Sequence, residues 1–278
     1  MKKRVVITGL GAVTPIGNNV AAFWENLVAG KSGIDLIKAF DTTDLKTKIA
    51  GEVKDFDAGK YLGVKEVRRF DRFVHFGVSA GIMALEASGL EITDEFAPEC
   101  GCAIGSGAVA KEAVADAKID IAQENPTRLG VCVGTGIGGI DTFLEQSLKY
   151  GEKGPGRISP FFIPMEIPNM PAAHIGIALG WKGPNTAIVT ACATGTNCIG
   201  DAMRTIQYGD ADVMIAGGVE AAVNPIAIAG FENMKALCTD NEKPTEASRP
   251  FDKTRSGFVM GEGGGVLVLE ELEHAKKR

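Results

Sequence analysis

Short runs of β-branched and apolar residues alternate along this chain with longer stretches in which apolar positions recur every three or four residues. The run RVVITG (4–9) reads as a strand, and VAAFWENLVAG (20–30) as a helix closed by Gly30. FVHFGVSAGIMALEASG (73–89) predicts a second helix, closed by Gly89. GVCVGTG (130–136) follows as a strand, IGIALGW (175–181) as a short helix end and TAIVTA (186–191) as a strand. TNCIGDAMRTIQYG (196–209) is a helix, DVMIAGG (212–218) a strand, and GGVLVLEE (264–271) a last strand running into charged residues. Strands that are apolar almost throughout, separated by helices, imply a mostly parallel sheet covered on both sides. The fold class is α/β.

One organisational feature stands apart. Residues 79–107 and 108–136 align without a gap: Ala84, Ile92, Glu95, Gly101, Gly105 and Gly107 meet Ala113, Ile121, Glu124, Gly130, Gly134 and Gly136. Each copy reads helix, acidic loop, strand and a G-S/T-G turn, which points to a tandem duplication; chance likeness of two helix–strand units is the alternative.

Composition narrows the function classes. The net charge of −6 argues against a general nucleic-acid binder. The start MKKRVVITGLGAVTPIG is interrupted by Gly9, Gly11 and Pro15, so it reads as strand and turn rather than a signal peptide. No stretch reaches the length of a membrane helix, and a cytoplasmic protein is expected. The six cysteines are expected to be free thiols, and the three scattered histidines argue against a zinc site.

The most informative segment is GPNTAIVTACATGTNCIGDAMRTIQYG. The β-rich run from Thr186 to Ala191 delivers Cys192 to a turn of Ala193, Thr194 and Gly195, after which an amphipathic helix carries Cys198, Ala202 and Ile206 at i, i+4, i+8. A cysteine at a strand-to-helix turn sits where free N–H groups and the helix dipole favour a thiolate. Small neighbours leave room for a carbonyl. From its setting alone Cys192 is either an activated nucleophile or an inert buried thiol; Cys198 fits the second description better.

The openings VVITGLGAVTPIGN and FWENLVAGKSGI, then VGTGIGG, RISPFFIP, GPNTAIVTACATGTNCIGDA, GFENMKAL and ASRPFDKTRSGFVMGEGGGVLVLEELEHAKKR resemble the N-terminal half of the β-ketoacyl-acyl-carrier-protein synthases of the type II elongating kind. TACATG followed by GFVMGEG at this distance is the specific part. The resemblance implies a thiolase-like fold across 1–278 with the duplicated unit inserted, and a homodimer. It implies that Cys192 takes an acyl group from the phosphopantetheine arm of acyl carrier protein, and that the carbanion from malonyl-carrier protein then attacks the thioester. No resident cofactor or metal is implied, since phosphopantetheine arrives on the carrier; nor is a nucleic-acid or membrane partner.

Further positions carry over from the same resemblance. Ile137, Phe162 and Phe231 match acyl-pocket positions, although ordinary core packing would use the same residues. Lys65, Arg68 and Arg69, joined by Arg157 and Lys235, match a docking surface for the acidic carrier protein; a solvated helix face is the alternative. The family's histidine pair and lysine lie in its C-terminal half, and His75, His174 and His274 sit in none of its histidine motifs. The chain therefore reads as a truncated condensing enzyme able to accept an acyl group slowly. A non-catalytic carrier-binding or scaffold subunit is the competing expectation.

Overall fold

The computed structural model describes residues 2–90 and 125–278. Five strands make one sheet: β1 (Val5–Val13), β4 (Leu129–Gly134), β5 (Asn185–Thr186), β6 (Val213–Glu220) and β7 (Gly263–Glu271), in spatial order β1-β7-β6-β4-β5. Two short strands, β2 (Asp35–Leu36) and β3 (Ile49–Ala50), pair separately. The helices are α1 (Val20–Val28), α2 (Val64–Arg69), α3 (Arg72–Ser88), α4 (Ile140–Lys153), α5 (Phe162–Glu166), α6 (Met170–Leu179), α7 (Thr194–Tyr208), α8 (Pro225–Asn233), α9 (Pro244–Ala247) and α10 (Leu272–Lys277).

Strands β5, β4 and β6 are mutually parallel, whereas β7 is antiparallel to both β6 and β1. The sheet is therefore mixed, with one reversed strand between two that share a direction. The reversal has a local reason: the chain leaves β6 through α8, which packs in a separate cluster with Ile37 and Val223, and returns without a crossover helix laid on the sheet.

Alternation along the strands sorts their side chains onto two faces. Leu129, Val131, Val133, Val213, Ile215, Val266 and Val268 share a core with residues of α3 and α6. Cys132, Met214, Ala216 and Leu269 pack with Cys198, Ala202 and Ile206 of α7, all three fully buried as their spacing predicted. Helices cover both sheet faces.

Helix α3 has thirteen of its seventeen residues buried, so it is an internal helix rather than an amphipathic surface one. It can lie this deep because β1 offers it bare backbone. A Cβ on Gly9 would fall 1.9 Å from the Ala84 carbonyl oxygen, and one on Gly11 1.8 Å from that of Ala80. The helix ends follow the sequence: Gly89 and Gly209 adopt left-handed caps, with φ of 70° and 89°.

The expected strand 186–191 is mostly absent. Only Asn185 and Thr186 pair, with Val131 and Cys132, and both are exposed. This is the sheet's outer edge, with a neighbour on one side alone, and the chain leaves the ladder as it turns towards Cys192. Of the duplicated unit, residues 91–124 lie outside the described residues. No described helix is long and apolar enough to cross a membrane.

Candidate active site

Beyond β5 the chain crosses the end of β4 at backbone contact. A Cβ on Gly134 would stand 2.0 Å from the Ile188 carbonyl oxygen and 2.7 Å from Thr194 Cγ2, so a side chain there would displace the segment that carries Cys192. Residues Ala191–Ala193 then form one 3₁₀ turn, and α7 begins at Thr194. Ala191 has φ +51°, a left-handed conformation that costs a non-glycine residue roughly 1–2 kcal/mol. Such a residue persists only where its surroundings fix it. Here the Ala193 N–H donates to Thr190 O (3.1 Å), and the Thr190 N–H to Thr194 Oγ1 (2.9 Å). Asn197 Nδ2 donates to Thr190 Oγ1 (2.8 Å). Underneath, the first turn of α7 rests on the sheet through glycines: a Cβ on Gly218 would lie 2.8 Å from Gly195 Cα.

The result is a cysteine held at the tip of a tied turn immediately before a helix. Cys192 is exposed, whereas Cys132, Cys198 and Cys238 are buried. Cys198 lies beneath the site against Cys132; this contact, with burial, pushes the Cys132 thiol up, and against burial it draws that of Cys198 down. Acidity and access thus point to different sulfurs, and among the described cysteines only Cys192 has access.

Beside the cysteine turn stands the β4–α4 turn, which carries Ile137 at 36% exposure. The carboxylate of Glu220, at the end of β6, accepts hydrogen bonds from Thr135 Oγ1 (2.7 Å), the Gly136 N–H (2.9 Å) and the Ile137 N–H (3.1 Å). Burial pushes its carboxyl up, opposed by these bonds. Sequence reasoning missed Glu220 and Thr135. The available signal was a carboxylate closing the otherwise apolar run VMIAGGVE. On the far side of the turn, the Gly139 N–H donates to Glu166 O (2.9 Å) at the end of α5. Phe162 opens α5 and packs on Phe143, with ring centroids 6.3 Å apart. Ile137 and Phe162 therefore belong to one loop assembly. Phe231 packs on the α8 cluster, edge-on to Phe258 at 5.4 Å, and Ile140, which opens α4 just past the Ile137 turn, packs on the same cluster.

The basic residues group partly as expected. Lys65, Arg68 and Arg69 are exposed on α2, whose intervening Glu66 is buried. Arg69 lays its guanidinium 4.8 Å from the Phe161 ring centroid, which ties α2 to the segment bearing the exposed Arg157. Lys235 is exposed just past α8, at φ +58°, and no described contact links it to the other four.

None of the histidines faces Cys192 in a described contact. Burial holds His75 and His174 at about 4, in the neutral form. His174 stacks on Phe70 at 3.8 Å, and His274 Nδ1 lies 2.6 Å from Glu270 Oε1. Two cavities, of about 360 and 260 Å³, are lined by the 39–40, 141–148 and 223–225 segments and by the 14–18, 26–32 and 54 positions; neither includes Cys192 or the three pocket candidates.

Comparison with known proteins gives this geometry its context. The family described as "Beta-ketoacyl synthase, N-terminal domain" matches residues 2–109 and 106–275. The chain is 47% identical over 277 residues to 3-oxoacyl-acyl-carrier-protein synthase 2 of Vibrio harveyi and 48% over 277 to that of Synechocystis. These alignments cover 100% of this chain and 60% of each relative, so the chain spans well under two thirds of their length. Among solved structures, a β-ketoacyl synthase from Burkholderia phymatum superposes with a TM-score of 0.79 at 29% identity, covering 100% of this chain and 61% of the other. A type II polyketide acyl-carrier protein in complex with its ketosynthase, bound to the hexaketide, gives 0.77 at 29% identity, with 100% and 60% covered. The family match and these relatives agree with the thiolase-like sheet, and the chain belongs to the β-ketoacyl synthase family, matching its N-terminal domain.

Proposed function

We propose that this chain supplies the acyl-accepting half of a 3-oxoacyl-acyl-carrier-protein synthase, with Cys192 as the nucleophile. The single observation that carries the reading is the exposed Cys192 on a strained, hydrogen-bonded turn at the head of α7. In the reaction, Cys192 Sγ attacks the carbonyl carbon of an acyl thioester on acyl carrier protein. The bond from that carbon to the phosphopantetheine sulfur breaks, and the departing sulfur takes the thiol proton. The acyl group remains on Cys192 as a thioester, which is itself a good acyl donor. The Cys192 N–H, at the turn, would contribute to an oxyanion hole for the tetrahedral intermediate. No cofactor of the chain's own takes part, since the phosphopantetheine belongs to the carrier.

In the complete relatives the reading extends to decarboxylative condensation with malonyl-carrier protein in fatty-acid biosynthesis. That step needs acid–base groups at the thioester, and His75 and His174 are buried with no described contact to Cys192. Carrier docking falls to Lys65, Arg68, Arg69 and Arg157, which are exposed together beside the Phe161 segment and would attract an acidic partner despite the net charge of −6. A homodimer through the sheet edge fits as well: Asn185 and Thr186 are exposed there, Val189 is 52% exposed, and an unpaired edge is a template for a second copy.

Incubating the chain with an acyl-carrier protein and measuring its intact mass tests the reading. The expected result is one added acyl group, absent from Cys192→Ala. No adduct on the parent chain, or an adduct that survives the substitution, would contradict it.

A further inference from the structure

Glu220 lies outside the acyl-transfer chemistry, yet its carboxylate holds the β4–α4 turn that packs against the cysteine turn. It ends β6, next to Gly218, on which Gly195 of α7 rests. Its two oxygens accept three hydrogen bonds from consecutive residues of the β4–α4 turn: Oε1 from the Thr135 hydroxyl, Oε2 from the Gly136 and Ile137 N–H groups. The Thr135 hydroxyl, from a side chain 1% exposed, in turn accepts from the Gly138 N–H at 3.3 Å. One carboxylate thus satisfies, directly or through Thr135, three successive backbone donors that would otherwise need other partners.

The held turn abuts the cysteine turn. A Cβ on Gly136 would lie 2.9 Å from Glu220 Oε2, 3.4 Å from the Ala191 carbonyl oxygen and 3.5 Å from Ala191 Cα. Gly136 is therefore packed between the carboxylate and the left-handed residue that presents Cys192. Its neighbour Ile137 is left 36% exposed on the outer side of the same turn. Gly138, at φ +85°, then backs onto the Glu166 carbonyl. The turn is clamped on one side by Glu220 and on the other by the end of α5.

We propose that Glu220 is a positioning residue for acyl transfer: its carboxylate fixes the Thr135–Ile137 turn against Ala191 and thereby sets where Ile137 meets the acyl chain. This rests on the reading of Cys192 as acyl acceptor. Without the carboxylate, the two N–H groups and the Thr135 hydroxyl lose their common acceptor, and the turn is held only from the α5 side, through the Gly139 N–H and the Glu166 carbonyl. A displacement of about 1 Å at a positioning element can cost up to about a hundredfold in rate.

The test compares the parent chain, Cys192→Ala, Glu220→Ala and Glu220→Gln in single-turnover acylation by a short-chain and a long-chain acyl-carrier protein, with thermal melts as the folding control. Glu220→Ala is expected to slow transfer about tenfold or more and to change the ratio of short- to long-chain rates by at least about threefold. Glu220→Gln, whose amide oxygen can still accept from Gly136 and Ile137, is expected to recover most of the ratio. A merely stabilising role would lower both donors by one factor and leave the ratio as in the parent; that result overturns the proposal. If Glu220→Ala does not melt cooperatively, Glu220→Gln and Thr135→Val are compared by the same ratio, and an unchanged ratio in both overturns it. Failure of the parent chain to be acylated at Cys192 sinks the functional reading and this inference with it, whereas acylation with an indifferent Glu220 sinks this inference alone.

Discussion

Placing a single methyl on Gly11 is expected to abolish cooperative folding, or to lower stability by more than about 4 kcal/mol, a loss confined to a few defined mechanisms. The new Cβ would stand 1.8 Å from the Ala80 carbonyl oxygen and 2.8 Å from the Ala84 N, and both neighbours are helix backbone rather than yielding side chains. Relief would require α3 to lift off β1. That helix is buried over most of its length, and its residues Phe73, Phe76 and Val78 are at most 1% exposed in the central core. Lifting it would open gaps throughout that core, so the cost is one of lost packing as well as overlap. Urea unfolding of Gly11→Ala checks this, and a midpoint equivalent to within about 1 kcal/mol of the parent would contradict the backbone-contact account of β1 and α3.

Acid is expected to be the second strong perturbant, well before the ordinary carboxylate range. His75 and His174 are held at about 4 by burial, against 6.5 for a free imidazole. Neither His75 Nε2 nor either ring nitrogen of His174 has a hydrogen-bond partner to stabilise a proton. Below 6.5 the unfolded chain binds protons that the folded chain refuses, so stability falls with pH and keeps falling until about 4. For each histidine the loss is about 2 kcal/mol by pH 5 and about 3 kcal/mol by pH 4, a large share of the stability of most domains. Glu270 and Asp212 add to the loss lower down. Burial raises Glu270, but Arg278 and His274 bring it to about 2; the Arg128 hydrogen bond brings Asp212 to about 2. Asp71, Asp141 and Glu220, raised by burial, act in the opposite sense. Stability measured from pH 7 to 5 should decline steeply in the parent and much less in a His75→Gln, His174→Gln chain. Equal slopes in the two would show that these imidazoles do not stay neutral.

The sequence was legible where local pattern and tertiary role coincide. The i, i+4, i+8 spacing of Cys198, Ala202 and Ile206 named the buried face of α7, and Gly89 and Gly209 marked helix ends that do turn left-handed. The turn before a helix at Cys192 was legible in its small neighbours, but they left nucleophile and inert thiol both open, and only the family resemblance favoured the first. The direction of β7 was not legible: an apolar run such as GVLVLE reads the same whichever way the strand points, and only the non-crossover return from α8 decides it. Residues 187–191 misled for a related reason. Their β-branched composition suits a strand, but the ladder ends after Thr186 at the edge of the sheet. Glu220 escaped notice because its partners, the Thr135 hydroxyl and two backbone N–H groups, lie 83 to 85 residues away and leave no mark in composition or periodicity. The basic group was read correctly as exposed, while the joining of α2 to the Arg157 segment depends on one contact, Arg69 over Phe161.

The central claim is that access selects Cys192, even though the contact with Cys132 favours the thiolate of Cys198. Limiting iodoacetamide followed by peptide mapping of the native chain tests it directly. The expected result is alkylation of Cys192 at least about tenfold ahead of Cys132, Cys198 and Cys238, since buried thiols are inert whatever their acidity. Labelling of Cys198 at a rate equal to or above that of Cys192 would contradict it.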